Sequence, residues 1–305
     1  MGADRMAKIV FLGTSGSTPT KSRNLPSVAL EYEGSIYLFD CGEGTQRQIF
    51  KYSLNISKVE AIFISHIHGD HIIGIAGLVR TLALNRRQQP LYIFVPKGYE
   101  SAASQLLSFD KAIIGFEIRI KPISSGTIYK NEDFEVRALR LVHSVPAFGF
   151  VFKEKDRVRF IKEKAAAAGL KGSMYSELLK NGHITVNGKK VALKDVTYVE
   201  PGLKVAYITD TRPVQSIAIA ARGADLLIHE ATFAASEAGL AKERKHSTSE
   251  EAALIAKKAK VKKLVLMHIS ARYRSTAKIL KEAKAIFDNT YIAKDGMAIT
   301  LERGS

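Results

Sequence analysis

The chain reads as an α/β protein in which mixed sheets pack face to face and helices cover their outer surfaces. Three observations support this. In the first half, short apolar runs recur with few helical patterns between them. In the second half, similar runs alternate with segments whose apolar residues fall at helical spacing. The 305 residues are 46% apolar, enough to bury a large core.

Lys8–Leu12, Ser27–Tyr32 and Ile36–Phe39 are rich in β-branched and aromatic residues, and Gly34 marks a tight turn between the last two. Val59–Ile64 and Leu91–Val95 are continuous apolar runs that read as buried strands, with a helix predicted over Ile72–Asn85 between them. Strands are predicted again at Phe134–Leu141 and Phe148–Phe152. Thereafter Val205–Thr209, Leu226–His229 and Leu264–His268 alternate with helices over Gln215–Arg222, Ser249–Lys258 and Thr276–Phe287. Thr290–Ile292 and Ala298–Leu301 complete the series. Ser247, Thr248 and Ser249 offer hydroxyl caps, and Glu250 and Glu251 put negative charge in a first helical turn.

One cysteine, Cys41, excludes an internal disulfide framework, suits a reducing cytoplasm and excludes a thiolate metal site. No apolar run reaches the roughly 18 residues that span a bilayer. Ile9–Leu12 is too short for the apolar core of a signal peptide. A cytoplasmic protein without membrane attachment is expected. The net charge of +16 and pI near 9.7 fit either a polyanionic partner or a generally lysine-rich surface.

Residues 153–194 stand apart, with eleven Lys/Arg against four Asp/Glu, a net +7 in 42 residues. An alanine run, several glycines and a hairpin-like stretch from His183 lie within it. It reads as a basic arm inserted into a single domain spanning 1–305, and its charge density favours a polyanion-binding role over an ordinary solvated excursion.

The most chemically specific stretch is Ser65-His66-Ile67-His68-Gly69-Asp70-His71. Side chains two apart on an extended segment share a face, so His66 and His68 can point at one ion. Gly69 permits a turn that brings Asp70 and His71 towards a second. Imidazole nitrogen with carboxylate oxygen suits Zn²⁺, and Mn²⁺ or Fe²⁺ can use the same donors. His143, Asp210, Glu230 and His268 each follow or end an apolar run, where open sheets present their chemistry. The motif with His143, Asp210 and His268 supplies seven ligands, enough for two metals when one carboxylate bridges them.

With these residues in place the chain resembles the dinuclear metallo-β-lactamase fold, an αββα sandwich. FLGTSGSTPTKSRN at 11–24, FDCGEGTQRQ at 39–48, DTRP at 210–213, HEATF at 229–233, KHST at 245–248 and HISARY at 268–273 are similar to one branch of it, ribonuclease Z. That family trims the 3′ end of precursor tRNA. The resemblance implies one metal on His66, His68 and His143, a second on Asp70, His71 and His268, and Asp210 bridging. It implies attack by metal-activated water, leaving a tRNA 3′-hydroxyl and a trailer 5′-phosphate. Asp70 would orient or deprotonate the nucleophile, and His246 paired with Glu230 would protonate the leaving oxygen. A carboxylate partner suits that role, because it raises the imidazole pKa and fixes the tautomer.

Lys21, Arg23 and Asn24 are expected to meet phosphates and terminal bases of the substrate, as are Arg272 and Tyr273 beside the metals. Arg212 is expected to bind phosphate or to support the site. The resemblance implies two Zn²⁺ per subunit and a homodimer, with Ile72–Leu84 as a candidate interface or core helix; no DNA partner is expected. Two features depart from the family pattern: Thr209 replaces the glycine before Asp210, and the arm lacks the family's prolines around Gly172–Ser176. The closest rival is another hydrolase of the same fold, an arylsulfatase or small-molecule phosphodiesterase, which would share the metal ligands but has no need of a basic arm. A non-catalytic RNA-binding protein is the rival of a different class.

Overall fold

The computed structural model describes residues 6–108 and 113–303. The chain divides into two compact units, one made of residues 1–153 and 203–302 and the other of 154–202 with 303–305.

The first unit holds two seven-stranded mixed sheets. In one, the order from edge to edge is Ala298–Glu302, Met6–Gly13, Ser27–Tyr32, Ser35–Phe39, Val59–Phe63, Leu91–Pro96 and Ile118–Ile123. In the other it is Thr290–Ile292, Leu264–Met267, Leu226–Glu230, Lys204–Ile208, Ala147–Glu154, Phe134–Leu141 and Gly126–Lys130. The pairing is parallel from Ser35–Phe39 to Ile118–Ile123, and from Lys204–Ile208 to Thr290–Ile292.

The layers follow from side-chain alternation. Ile9 and Phe11 enter an aromatic-rich core between the sheets with Phe39, Phe63, Phe150 and Tyr207. Val10 and Leu12 point the other way, into a layer closed by helices Thr45–Lys51, Gly74–Leu84 and Glu100–Leu106. In the second sheet Val205 and Tyr207 face the central core, while Ala206 and Ile208 face helices Gln215–Ala220, Ser249–Ala259 and Ala277–Lys284. Both faces of the central strands are therefore buried, which is why their sequences run apolar without alternation. This is the α/β architecture of two mixed sheets flanked by helices that the sequence predicts.

The predicted strands and helices all occur, with ends displaced by a few residues. Ile118–Ile123 and Gly126–Lys130 were not expected, and both are edge strands. Pro122 weakens the strand signal of the first, and a proline is tolerated there because an edge leaves N–H groups unpaired. Helix Gly74–Leu84 buries Ile75, Leu78, Val79 and Leu82 against the first sheet, so that stripe belongs to the core. Among the described residues, no helix is long and apolar enough to cross a membrane.

The second unit has its own small core of Ala165, Leu170, Leu178, Ile184, Val186 and Val196. Around it lie the paired strands Arg157–Phe160 and Thr197–Glu200, the hairpin His183–Val186 and Lys189–Ala192, and helices Lys162–Ala167 and Met174–Asn181. The hairpin turns on Asn187 and Gly188, both at positive φ, as a two-residue primed turn requires. Arg303 is anchored to Glu154 at 2.5 Å and Glu200 at 3.3 Å within this unit.

Candidate metal centre

The site lies where strands of the first unit end. His66 and His68 follow Val59–Phe63, and Asp70 and His71 open the short helix Gly69–Ile72, for which His68 is the N-cap residue. His143 follows Phe134–Leu141, Asp210 follows Lys204–Ile208, Glu230 ends Leu226–Glu230 and His268 follows Leu264–Met267. His268 is held at φ 56°, and neighbouring Gly16 is needed because a Cβ there would lie 2.8 Å from its ring.

These residues form two groups that share Asp210. Its Oδ2 lies 3.6 Å from His66 Nε2 and 3.7 Å from His143 Nε2. His68 Nδ1 is 3.1 Å from His66 Nε2 and 3.3 Å from His143 Nε2. On the other side Asp210 Oδ1 lies 3.5 Å from His71 Nε2 and 3.1 Å from His268 Nε2. Asp70 Oδ2 stands 3.4 Å and 3.6 Å from the same two nitrogens. Metal–nitrogen bonds of about 2.0–2.1 Å place tetrahedral donor atoms roughly 3.3 Å apart. The spacing within each group matches the edges of such a tetrahedron.

Two further facts fit bound cations. His71 Nε2 and His268 Nε2 are buried with no hydrogen-bond partner, a costly arrangement for a polar atom without a ligand. Moreover, four imidazoles are gripped from outside by Nδ1, which aims Nε2 inward. His71 Nδ1 donates to Asp40 at 2.7 Å, His66 Nδ1 to Ser65 Oγ at 2.9 Å, His268 Nδ1 to Thr232 Oγ1 at 2.9 Å and His143 Nδ1 to the Lys245 carbonyl at 3.1 Å. Such outer contacts fix tautomer and ring orientation at metal sites. Burial pushes His66 and His143 below the usual imidazole range, favouring the neutral rings that coordinate. Burial would raise the Asp70 carboxyl, but His268 and His71 hold it well below its ordinary value.

Glu230 and His246 form a hydrogen-bonded pair at the same end of the sheet. His246 Nδ1 donates to Glu230 Oε1 at 3.0 Å, and its ring centre is 5.1 Å from that of His143. The buried Glu230 carboxylate also accepts from the backbone of Thr211, Thr232 and Ser247 and from the Thr232 hydroxyl. Burial opposes the charge on His246, but Glu230 and Asp210 outweigh it and bring its pKa to about 9. Burial likewise opposes ionisation of Glu230, and His246 holds it at about 2. A cavity of about 710 Å³ opens over the site, lined by His68, Asp70, His143, Asp210 and His246, with Arg244, Lys245 and Arg272 supplying positive charge.

The six residues expected to meet substrate separate in the structure. Arg272 lines the cavity, above the Phe233 ring and 2.6 Å from Glu237. Lys21 is exposed outside the cavity lining. Arg23 donates to Thr14 at 2.6 Å and the Ala293 carbonyl at 2.7 Å, and Asn24 Nδ2 donates to the Glu43 carbonyl. Arg212 clamps Glu251 and the His246 carbonyl. Tyr273 donates to Glu237 and accepts from the Ala234 amide. Arg23, Asn24, Arg212 and Tyr273 are thus held by protein partners and do not line the cavity. The supporting residues Asp40, Tyr207 and Thr232 escaped the sequence reading, although Asp40 ends an apolar run just as Asp210 does. Asp40 accepts from Ser65 twice, at 2.7 and 2.9 Å, and from Tyr207 at 2.7 Å, beneath His71. His229 donates internally to the Glu230 carbonyl and His183 lies exposed in the second unit, and neither belongs to a ligand group.

A family model described as anti-Pycsar protein Apyc1 matches residues 7–161, and a beta-lactamase superfamily domain matches residues 191–269. The ribonuclease Z of Methanothermobacter thermautotrophicus is 40% identical over 97% of each chain. That of Thermococcus onnurineus is 41% identical, covering 98% of this chain and 96% of its own. The crystal structure of human tRNase Z, short form, superposes with a TM-score of 0.71 at 29% identity, over 96% of this chain and 98% of that one.

Proposed function

The chain belongs to the ribonuclease Z family and is an endoribonuclease, and from that premise we propose that it removes the 3′ trailer from precursor tRNA. The products are a tRNA 3′-hydroxyl and a trailer 5′-phosphate. The observation that carries the proposal is Asp210, with one oxygen in each of two nitrogen-rich groups beside the Glu230–His246 pair.

His66, His68 and His143 with Asp210 would hold one divalent cation, and Asp70, His71 and His268 with Asp210 the other. Zn²⁺ fits these donors, and Mn²⁺ or Fe²⁺ can replace it. Two bound cations supply a nucleophilic water at neutral pH and neutralise charge on the phosphoryl oxygens. Asp70, ionised and fixed by the Ser17 amide at 3.0 Å, would orient or deprotonate the attacking water. His246, kept protonated by Glu230, donates its proton to the departing ribose 3′-oxygen. Water attacks in place of the neighbouring 2′-hydroxyl, so no cyclic phosphate forms and the tRNA keeps its 3′-hydroxyl.

Arg272, Arg244 and Lys245 face the cavity and receive phosphates flanking the scissile bond, with Lys21 further out. The basic arm at 153–194 holds the tRNA body by shape and phosphate contacts, and one subunit's arm serves the other's centre in a cytoplasmic homodimer. The test is a precursor tRNA with a 3′ trailer, incubated with and without chelator, and both product ends mapped. Chelator-sensitive cleavage just after the discriminator nucleotide, with the stated end groups, is expected. An untouched precursor alongside rapid hydrolysis of an aryl sulfate or a small phosphodiester would overturn the proposal.

A further inference from the structure

A second cavity, of about 420 Å³, lies on the second sheet beside helix Gln215–Ala220 and shares no lining residue with the metal centre. Three adjacent strands each bring one cation to it: Arg137 from Phe134–Leu141, Lys153 from Ala147–Glu154 and Lys204 from Lys204–Ile208. Lys153 and Lys204 are direct partners in the antiparallel register. Like charges placed opposite each other across a sheet are destabilising. The remaining wall is largely apolar, with Leu139, Val151, Ile219 and Ala220, and Glu135 is the acidic residue in the lining.

The electrostatics of Lys204 agree with that crowding. Burial, and then the charges of Lys153, Arg137 and Arg222, push its ammonium below the ordinary range, with Asp225 opposing. Lys204 Nζ donates to the Arg222 carbonyl at 2.8 Å, which fixes the side chain beside its like-charged neighbours. An ordinary basic surface spreads its charges apart. Here a row of them converges on a concave apolar wall, an arrangement that an anion with an apolar portion would stabilise.

We propose that this cavity is a binding site for a phosphate ester carrying an aromatic group, a nucleotide, with phosphate on Arg137, Lys153 and Lys204 and the base against Leu139, Val151 and Ile219. The volume lies within the range of small-molecule sites. The same phosphate ester chemistry is offered by a free nucleotide and by one nucleotide unit of a bound RNA. Neither source requires the metal centre, so the site stands or falls separately from the proposed cleavage reaction.

Photolabelling of the metal-loaded protein with 8-azido-AMP, followed by peptide mapping, tests this directly. Label is expected on Glu135–Leu139, Val151–Lys153 and Ser216–Ala220, none of which lines the metal centre. The Arg137→Gln/Lys204→Gln variant should lose that label at least tenfold while hydrolysing bis(p-nitrophenyl) phosphate within twofold of the wild type. Its melting temperature should equal or exceed the wild type's, because a repulsive cluster has been relieved; each single substitution should move in the same direction. Competition identifies the source. Displacement of label by AMP but not by precursor tRNA means a free nucleotide. Displacement by precursor tRNA, with weaker tRNA binding by the variant, means a unit of the RNA. Label confined to metal-centre peptides, label unchanged in the variant, or a variant that loses stability together with label would overturn the proposal.

Discussion

His246 acts through the charge of its neighbour. The Glu230 carboxylate is buried and saturated with hydrogen bonds, so it holds its position and its charge stabilises the protonated imidazole. In Glu230→Gln the shape remains but the charge is lost, so the His246 pKa falls. The alkaline limb of the kcat–pH profile should therefore move to lower pH, and a limb that stays in place would refute the acid role. His246→Ala should keep its metals and lose roughly 10²–10⁴ in turnover, the usual worth of a general acid. Metal loss in that variant would instead make the residue a ligand, in the group of donors that it forms with Asp210 and His268. Beneath the centre, Asp40 receives His71 Nδ1 at 2.7 Å. Asp40→Asn should weaken metal affinity by about 10–100-fold, measured against a chelating dye. Wild-type affinity would remove Asp40 from the support of the centre.

At the scale of elements, the loop carrying His246 is fastened to the helix that follows. Thr248 caps Ser249–Ala259, and Glu251 returns the bond to complete a capping box. Arg212 binds both Glu251 and the His246 carbonyl, so helix start, DTRP loop and acid form one structure. Thr248→Ala should cost about 1 kcal/mol in urea unfolding, the typical value for removing a hydroxyl cap. An unchanged midpoint would show that the Arg212–Glu251 ion pair secures the turn unaided. The start of this helix was legible because capping is a local matter of hydroxyl and acid spacing. The strands of the sandwich were legible for a different reason: Val59–Phe63 and Lys204–Ile208 are apolar on both faces because helices cover the sheets. Ile118–Ile123 was not, since an edge strand with half-exposed residues and Pro122 carries neither signal.

For the whole molecule, charge and chemistry are separated in the sequence. The metal ligands belong to the unit built from residues 1–153 and 203–302, while 153–194 carries +7 of the net +16. Deleting residues 155–195 should weaken precursor-tRNA binding and flatten its dependence on salt, by about one unit of log–log slope for each phosphate that the arm neutralises. Hydrolysis of bis(p-nitrophenyl) phosphate should persist. Equal losses on the two substrates would mean that the segment supports the centre itself and not the RNA.

The sequence by itself determined the layered α/β architecture and the residues able to bind metal. Both are written in local patterns: apolar periodicity in one case, and donor chemistry at the ends of apolar runs in the other. Only the tertiary structure decided which cations face the cavity. Arg23, Arg212 and Arg272 read alike in the chain, yet the first is tied to Thr14 and Ala293, the second to Glu251, and the third lines the opening. It also brought Asp40 beneath His71 and set Lys153 opposite Lys204. These pairings join residues 31 and 51 positions apart in the numbering. A side chain's role is fixed by partners that the folded chain brings to it, and spacing in the sequence holds no record of such partners.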